Sequence, residues 1–221
     1  MSVIAAVRKG SQIVIGADTQ DNFGDLRIPA ANHEAQKLRE VNAAVVGASG
    51  WALYDDLLGH YLPQMKNVRF NDRVAVFDFF VRFWRVLRKD YPFVNDQPEK
   101  KNDSPFADLD ATFLIASPGG IFLVSSNMSV SEFQQYYAIG SGGDFAIGAL
   151  HALYDEIDDP AVLVERGWPP DAVVLAWRGE DGVPAPLPAG HDVVAAPHTH
   201  TYLDYAEMVA DGGASSDRGD P

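Results

Sequence analysis

The sequence contains no cysteine among its 221 residues. This absence excludes disulfide bonds, thiolate nucleophiles and thiolate metal sites, and leaves His, Asp and Glu as the available metal ligands. The sequence also lacks any run rich in Lys and Arg, and its formal net charge is −14. Nucleic-acid binding needs a concentrated basic face, so no nucleic-acid partner is expected. No stretch approaches the roughly 18–20 consecutive apolar residues of a membrane span, and we expect a cytoplasmic protein without a membrane partner.

The sequence does contain enough apolar material for one well-packed domain, since 47% of its residues are hydrophobic. A chain of this length need not divide into two domains. We assign residues 2–200 to a single domain. Residues 201–221 form an acidic tail, rich in Gly, Ser and Asp towards its end, which we expect to be disordered.

The first half of the chain predicts paired strands followed by two helices. Apolar, β-branched runs at Val3–Val7 and Gln12–Ile15 predict a hairpin, and Asn42–Ala48 predicts a third strand. A helix is expected from Trp51 to Leu62. A second helix should begin at Asn71 or Asp72, and its apolar positions recur at helical spacing opposite basic residues: Val74, Phe77, Val81, Trp84 and Leu87.

The second half predicts further strands and one helix. Thr112–Ala116 and Ile121–Ser125 flank a Pro-Gly-Gly turn, and Gln134–Ile139 predicts another strand. A helix is expected from about Asp144 to Ile157. Beyond it, Ala172–Trp177 and Asp192–Ala196 are weaker strand candidates, separated by several prolines. Strands, two helices, strands and a helix in this order indicate two sheets with helices outside them.

Several common catalytic motifs are missing. Neither glycine-serine segment has the G-x-S-x-G spacing of a nucleophile elbow, and no dinucleotide fingerprint or Walker A motif is present. Three histidines near the C-terminus, His191, His198 and His200, are more typical of surface residues than of a metal site. We therefore expect neither a metal nor another cofactor.

The start of the chain offers a different nucleophile. Serine at position 2 is small enough for methionine aminopeptidase to remove Met1, which would leave Ser2 with a free α-amine. An unperturbed α-amine has a pKa of about 7.7–8.0, so near neutral pH it can accept the serine hydroxyl proton. Ser2 would then carry both the nucleophile and its base.

The predicted hairpin brings a carboxylate to this chain start. A three-residue turn at Lys9-Gly10-Ser11 would set Ser2 opposite Asp18, on the same face of the sheet. A two-residue turn would instead place Asp18 beside Met1. The sequence does not choose between these registers.

Five blocks of sequence, spanning about residues 2–158, resemble the proteasome β-subunit family of N-terminal-nucleophile hydrolases, and within it the bacterial branch. These blocks begin at Ser2, Ile15, Glu34, Val45 and Ile139 and occur in the family's order: SVIAAVRKG, IGAD, EAQKL, VVGASG and IGSGG. The resemblance implies an α+β fold, a four-layer αββα sandwich. It also implies a peptide or unfolded-protein substrate and homo-oligomeric stacked rings, and it leaves open whether an ATP-dependent unfoldase feeds them.

The resemblance also implies roles for individual residues. Ser2 falls at the nucleophile position, which is usually threonine, and Asp18 and Lys37 fall on the charged pair beside it. Gly47 matches the glycine whose N–H binds the oxyanion and the substrate backbone, and Ser141 matches the serine near the α-amine.

Two further positions complete the set. Asn22 corresponds to a residue whose backbone pairs with extended substrate. Asp192 is a weak match to a C-terminal aspartate, because the serine expected three residues later is absent.

These features predict a self-compartmentalising peptidase that works through an acyl-enzyme on Ser2. Three alternatives stay open at this stage. One is a catalytically silent ring subunit that keeps Met1. Another is a small-molecule amidase of the same superfamily, and the third is an acidic binding module.

Overall fold

The computed structural model describes residues 2–18, 21–23, 26–28, 37–65, 67–91, 109–166, 177–180 and 183–186. Within these ranges it contains four α-helices, which are α1 (Leu53–Tyr61), α2 (Arg73–Asp90), α3 (Gly143–Leu153) and α4 (Pro160–Arg166). Its strands are β1 (Ile4–Lys9), β2 (Gln12–Ala17), β3 (Asp21–Phe23), β4 (Leu26–Ile28), β5 (Leu38–Val41), β6 (Ala44–Gly50), β7 (Ala111–Ser117), β8 (Gly120–Val124), β9 (Val130–Phe133), β10 (Tyr136–Ile139), β11 (Trp177–Glu180) and β12 (Val183–Pro186).

The strands form two antiparallel five-stranded sheets and one short hairpin. The first sheet has the order β10-β1-β2-β11-β12, and the second has the order β5-β6-β7-β8-β9. Strands β3 and β4 pair separately. Helices α1 and α2 pack on the outer face of the second sheet, and α3 and α4 pack on the first. This arrangement is the four-layer αββα sandwich that the sequence predicted.

The space between the two sheets is filled by consecutive apolar residues of β1 and β2. Ile4, Val7 and Ile15 are fully buried. Such strands need cover on both faces, because the residues of Ile4–Val7 and Ile13–Ile15 are all apolar. The second sheet provides that cover on one face, through residues such as Leu114 and Ile121, and α3 and α4 provide it on the other.

Helix α2 begins as predicted but buries a different face. Asp72 caps it by accepting a hydrogen bond from the Ala75 N–H at 2.9 Å. The side chains that pack on the second sheet are Val76, Phe79, Phe80, Phe83 and Leu87. The expected stripe was wrong for Val74 and Phe77, which are 69% and 45% exposed, whereas Leu87 is buried and Trp84 is partly buried against the same core. The helix has apolar residues on two sides, and spacing alone did not show which side meets the sheet.

The β1–β2 hairpin adopts neither of the two registers considered above. Gly10 and Ser11 form the turn, with Gly10 at φ +58°, and Lys9 pairs with Gln12. The register continues to Ile4 opposite Ala17, and the Asp18 N–H donates to the Val3 carbonyl at 3.1 Å. Asp18 therefore lies beside Val3, one residue from the predicted nucleophile.

Helix α3 is shorter than predicted and is tied to β1 at its far end. The Tyr154 hydroxyl donates to the Arg8 carbonyl at 2.6 Å, and the Lys9 ammonium lies 3.9 Å from the centre of the Tyr154 ring. Burial raises the pKa of Tyr154, so the phenol stays neutral and keeps donating. This contact fixes α3, whose N-terminal end reaches the start of β1.

The sequence did not predict β12, because two prolines within Val183–Pro186 argue against a strand. The strand lies at the edge of the first sheet, where a residue without an N–H is tolerated on the open side. Of the weaker candidates, only Trp177 lies in the described part, and residues 172–176 and 192–196 lie outside it. The tail at residues 201–221 is likewise outside. None of the helices in the described ranges is long and apolar enough to cross a membrane.

Candidate active site

Ser2 lies at the entry to β1 and is held by the loop that precedes α3. The Ser2 backbone nitrogen donates to the Ser141 hydroxyl at 2.9 Å. The Ser2 carbonyl accepts a hydrogen bond from the Gly142 N–H at 3.1 Å. Both polar groups of the Ser2 backbone are therefore fixed by one short segment, although 139 residues separate Ser2 from Ser141.

Gly140 allows this loop to approach Ser2 closely. Its φ is +97°, and a Cβ added there would lie 2.2 Å from the Ser2 carbonyl oxygen. Both the backbone angle and the lack of space require glycine at this position. The Gly-Ser-Gly-Gly sequence thus combines a close backbone approach with the side-chain acceptor of Ser141.

Asp18 and Lys37 form a buried ion pair next to Ser2. The Lys37 Nζ lies 2.7 Å from the Asp18 Oδ2, and only 7% and 11% of the two side chains are exposed. The second oxygen, Asp18 Oδ1, accepts a hydrogen bond from the Val3 N–H at 2.6 Å. The Asp18 carboxylate therefore holds the Lys37 ammonium beside Ser2 and Val3. At that position the ammonium can stabilise developing negative charge.

Gly47 lies within β6 and is paired on both sides, with Leu38 of β5 and Leu114 of β7. A Cβ added to it would meet the Ile4 side chain at 2.8 Å. The Ala48 N–H donates to the Lys37 carbonyl at 3.4 Å. Gly47 is therefore the neighbour of a residue that contacts Lys37 directly, and its role as the oxyanion donor stays a prediction.

Ser49, two residues beyond Gly47 in β6, lies close to the segment that holds Ser2, and the sequence reasoning gave it no role. The Ser49 Oγ lies 3.2 Å from the position of a Cβ on Gly140. Side chains alternate between the two faces of a strand, so Ser49 faces the same way as Gly47. This alternation was the signal that could have identified Ser49 as a residue of the site.

The roles of the remaining predicted residues stay predictions. Asn22 lies in β3, opposite Arg27 of β4. Asp192, His191, His198 and His200 lie outside the described residues. Within the described ranges, no three His, Asp or Glu residues are close enough together to hold a metal ion.

Comparison of sequences finds related proteins, although no protein-family model matches the chain. The ATP-dependent protease subunit HslV of Sulfurihydrogenibium sp. (strain YO3AOP1) is 29% identical over 169 residues, which cover 75% of this chain and 84% of the relative. HslV of Rickettsia typhi (strain ATCC VR-144 / Wilmington) is 29% identical over 160 residues, covering 69% and 75%.

Comparison of structures gives the same result. Thiobacillus denitrificans BPH superposes with a TM-score of 0.69 at 26% identity, covering 80% of this chain and 97% of that protein. The same protein in complex with epoxomicin superposes with a TM-score of 0.67, covering 80% and 98%. In sequence and in fold, the chain is similar to proteasome β-type N-terminal-nucleophile hydrolases.

In this proteasome-type chain, the hairpin, β5 and the loop before α3 converge on a single point, the start of β1. They bring together a hydroxyl at Ser2, a buried ion pair at Asp18 and Lys37, and a second hydroxyl at Ser141. These groups supply what nucleophilic acyl transfer needs, namely an activated hydroxyl and fixed positive charge beside it.

Proposed function

We propose that this chain is an N-terminal-nucleophile peptidase that hydrolyses peptide bonds through an acyl-enzyme on Ser2. The observation that carries the proposal is the convergence of the Asp18–Lys37 ion pair and Ser141 on the Ser2–Val3 backbone. The HslV relatives are named as protease subunits, and a complex of BPH with epoxomicin is known. These names support a peptide substrate over a small-molecule amide.

The reaction begins once Met1 is removed. The Ser2 α-amine accepts the proton of the Ser2 hydroxyl, and the oxygen attacks the carbonyl carbon of the peptide bond. The Lys37 ammonium, held by Asp18, stabilises the forming alkoxide. The α-amine then returns the proton to the leaving nitrogen. Water hydrolyses the resulting ester and regenerates the free serine.

For the oxyanion we propose the Gly47 N–H, as the family resemblance implies. A Cβ added to Gly47 would meet the Ile4 side chain at 2.8 Å, and Ile4 is two residues from the proposed nucleophile. Asn22, on β3, and the Gly47–Gly50 segment remain our proposed edges for an added substrate strand.

Removal of Met1 is the first testable step. The purified, cell-expressed protein should have the mass of the chain without its first methionine residue, and it should cleave fluorogenic peptides in a manner that epoxomicin suppresses. Ser2→Leu is the matched control, because a bulky second residue should retain Met1. Intact-mass measurement shows whether Met1 is present in the wild type and in Ser2→Leu. A wild-type mass that includes Met1 would favour the silent subunit.

We further propose that the active form is a homo-oligomer of stacked rings, with the exposed side of α2 contacting a second copy. Val74 and Phe77 are exposed there, and Val81, which is half-buried, continues the stripe. Helix α2 carries five basic and two acidic residues on a chain of net charge −14. A basic, partly apolar helix complements the acidic surface of another copy, such as the exposed carboxylates around Asp155 and Asp159.

This interface predicts different behaviour for two substitutions of one residue. Phe77→Asp should convert the oligomer to smaller species, because it places a charge in an apolar contact. Phe77→Leu keeps the apolar contact and should preserve the oligomer. Light scattering coupled to size-exclusion chromatography measures both. If Phe77→Asp elutes with wild-type mass, α2 is not the contact. Cytoplasmic localisation remains a prediction.

A further inference from the structure

We propose that the Ser49 hydroxyl is a positioning group for the Ser2 nucleophile. This inference rests on the proposed function, because it concerns how the same serine is held for attack. It assigns a role to a residue of β6 whose side chain reaches the site.

The alternation of β6 places Ser49 on the face that meets β1. Ala44, Val46 and Ala48 belong to the core beneath α1 and α2. Val45 belongs to the core around β1 and β2, and the open side of Gly47 faces Ile4. Successive side chains of a strand point to opposite faces. Ser49 therefore points towards the first sheet, as Val45 does.

The same count along β1 places Ser2 nearby. Ile4 packs against Gly47. Ser2 is two residues before Ile4, and Ser49 is two residues after Gly47, so each faces the same way as its member of the contacting pair. Beyond this pair both segments leave the core, and Ser2 and Ser49 are each half-buried.

Gly140 adjoins both residues. A Cβ built on it would lie 2.2 Å from the Ser2 carbonyl oxygen and 3.2 Å from the Ser49 Oγ. The two oxygens thus border the same small volume, and glycine at position 140 keeps that volume open. Among the residues that the structure describes, no hydrogen bond of the Ser49 hydroxyl is found, to Ser2 or to any other group, so the proposed bond to the Ser2 Oγ would compete with no other described partner.

A serine nucleophile has a particular need for such a neighbour. Its Oγ can occupy three staggered positions, whereas the second substituent on a threonine Cβ restricts that rotation. A hydrogen bond from Ser49 would select one rotamer of Ser2 and leave the base and the Lys37 ammonium unchanged. One neutral hydrogen bond predicts a change of about tenfold in kcat with little change in KM.

The first test uses two variants of equal size. Ser49→Val and Ser49→Thr differ only in a methyl group and a hydroxyl group, and both fit a strand. Ser49→Val should lower kcat about tenfold at unchanged KM, and Ser49→Thr should restore most of the loss. Steady-state kinetics on a fluorogenic peptide measures both, with oligomeric mass checked in parallel. Equal kcat values in the two variants would overturn the proposal.

The second test separates positioning from a direct contact with the oxyanion. In a Ser2→Thr background the nucleophile carries its own rotational restraint. Ser49→Val should therefore cost clearly less in kcat there than in the Ser2 background, which a double-mutant cycle measures. An equal cost in both backgrounds would overturn the positioning role.

The proposed function fails in a different way. It fails if wild-type protein that lacks Met1 hydrolyses no peptide at all, and the inference then fails with it. If the wild type is active but indifferent to Ser49→Val, only the inference fails.

Discussion

Ser2→Ala should abolish peptide hydrolysis while leaving folding and assembly intact. Alanine is also small enough to allow removal of Met1, so the α-amine is retained and only the hydroxyl is lost. Without the nucleophile no acyl-enzyme forms, and we expect kcat/KM to fall by roughly 10⁴-fold or more. The structural effect should be small, because Ser2 is half-buried and its described hydrogen bonds come from its backbone. Peptidase kinetics and light scattering on the same preparation check both parts.

Ser2→Thr is the matched control for this experiment. It keeps the hydroxyl and the amine and adds only a methyl group, so hydrolysis should continue. Activity in Ser2→Thr together with inactivity in Ser2→Ala would identify the hydroxyl as the required group. An undiminished rate in Ser2→Ala would refute the acyl-enzyme on Ser2.

The layered fold could be predicted from the sequence because its strands and helices carry strong local signals. Consecutive apolar residues in β1 and β2 require cover on both faces, and the structure provides it with a second sheet and with α3 and α4. The prediction failed for α2, where Phe79, Phe80 and Phe83 make one apolar face and Val74 and Phe77 make another. Only the position of the sheet distinguishes these two faces.

The site was predicted less completely, because its geometry depends on register and on contacts far apart in sequence. A turn at Gly10 and Ser11 places Asp18 beside Val3, and composition does not fix which residues form a turn. Ser49 was overlooked, since its neighbours Ser2 and Gly140 are remote along the chain. Ser141 was named through a family likeness, and its hydrogen bond to the Ser2 nitrogen now gives a physical reason to propose a role for it.

Lys37→Met should damage both stability and catalysis. Methionine has a similar length and leaves the buried Asp18 carboxylate without the ammonium that lies 2.7 Å away. Removal of one member of a buried ion pair costs about 3–5 kcal/mol, because the remaining charge is poorly solvated. Catalysis should fall as well, since the alkoxide on Ser2 loses the ammonium that Asp18 holds beside the start of β1. Urea unfolding at one protein concentration and peptidase kinetics measure the two effects.

A second substitution separates these two effects. Asp18→Asn combined with Lys37→Met removes both charges, and the asparagine oxygen can still accept the Val3 N–H that Asp18 Oδ1 binds at 2.6 Å. The double variant should regain most of the lost stability, because no isolated buried charge is left. It should not regain activity, because the ammonium is still missing. Wild-type kcat/KM in the double variant would show that Lys37 acts only through the stability of the fold, and the proposed electrostatic role would then be wrong.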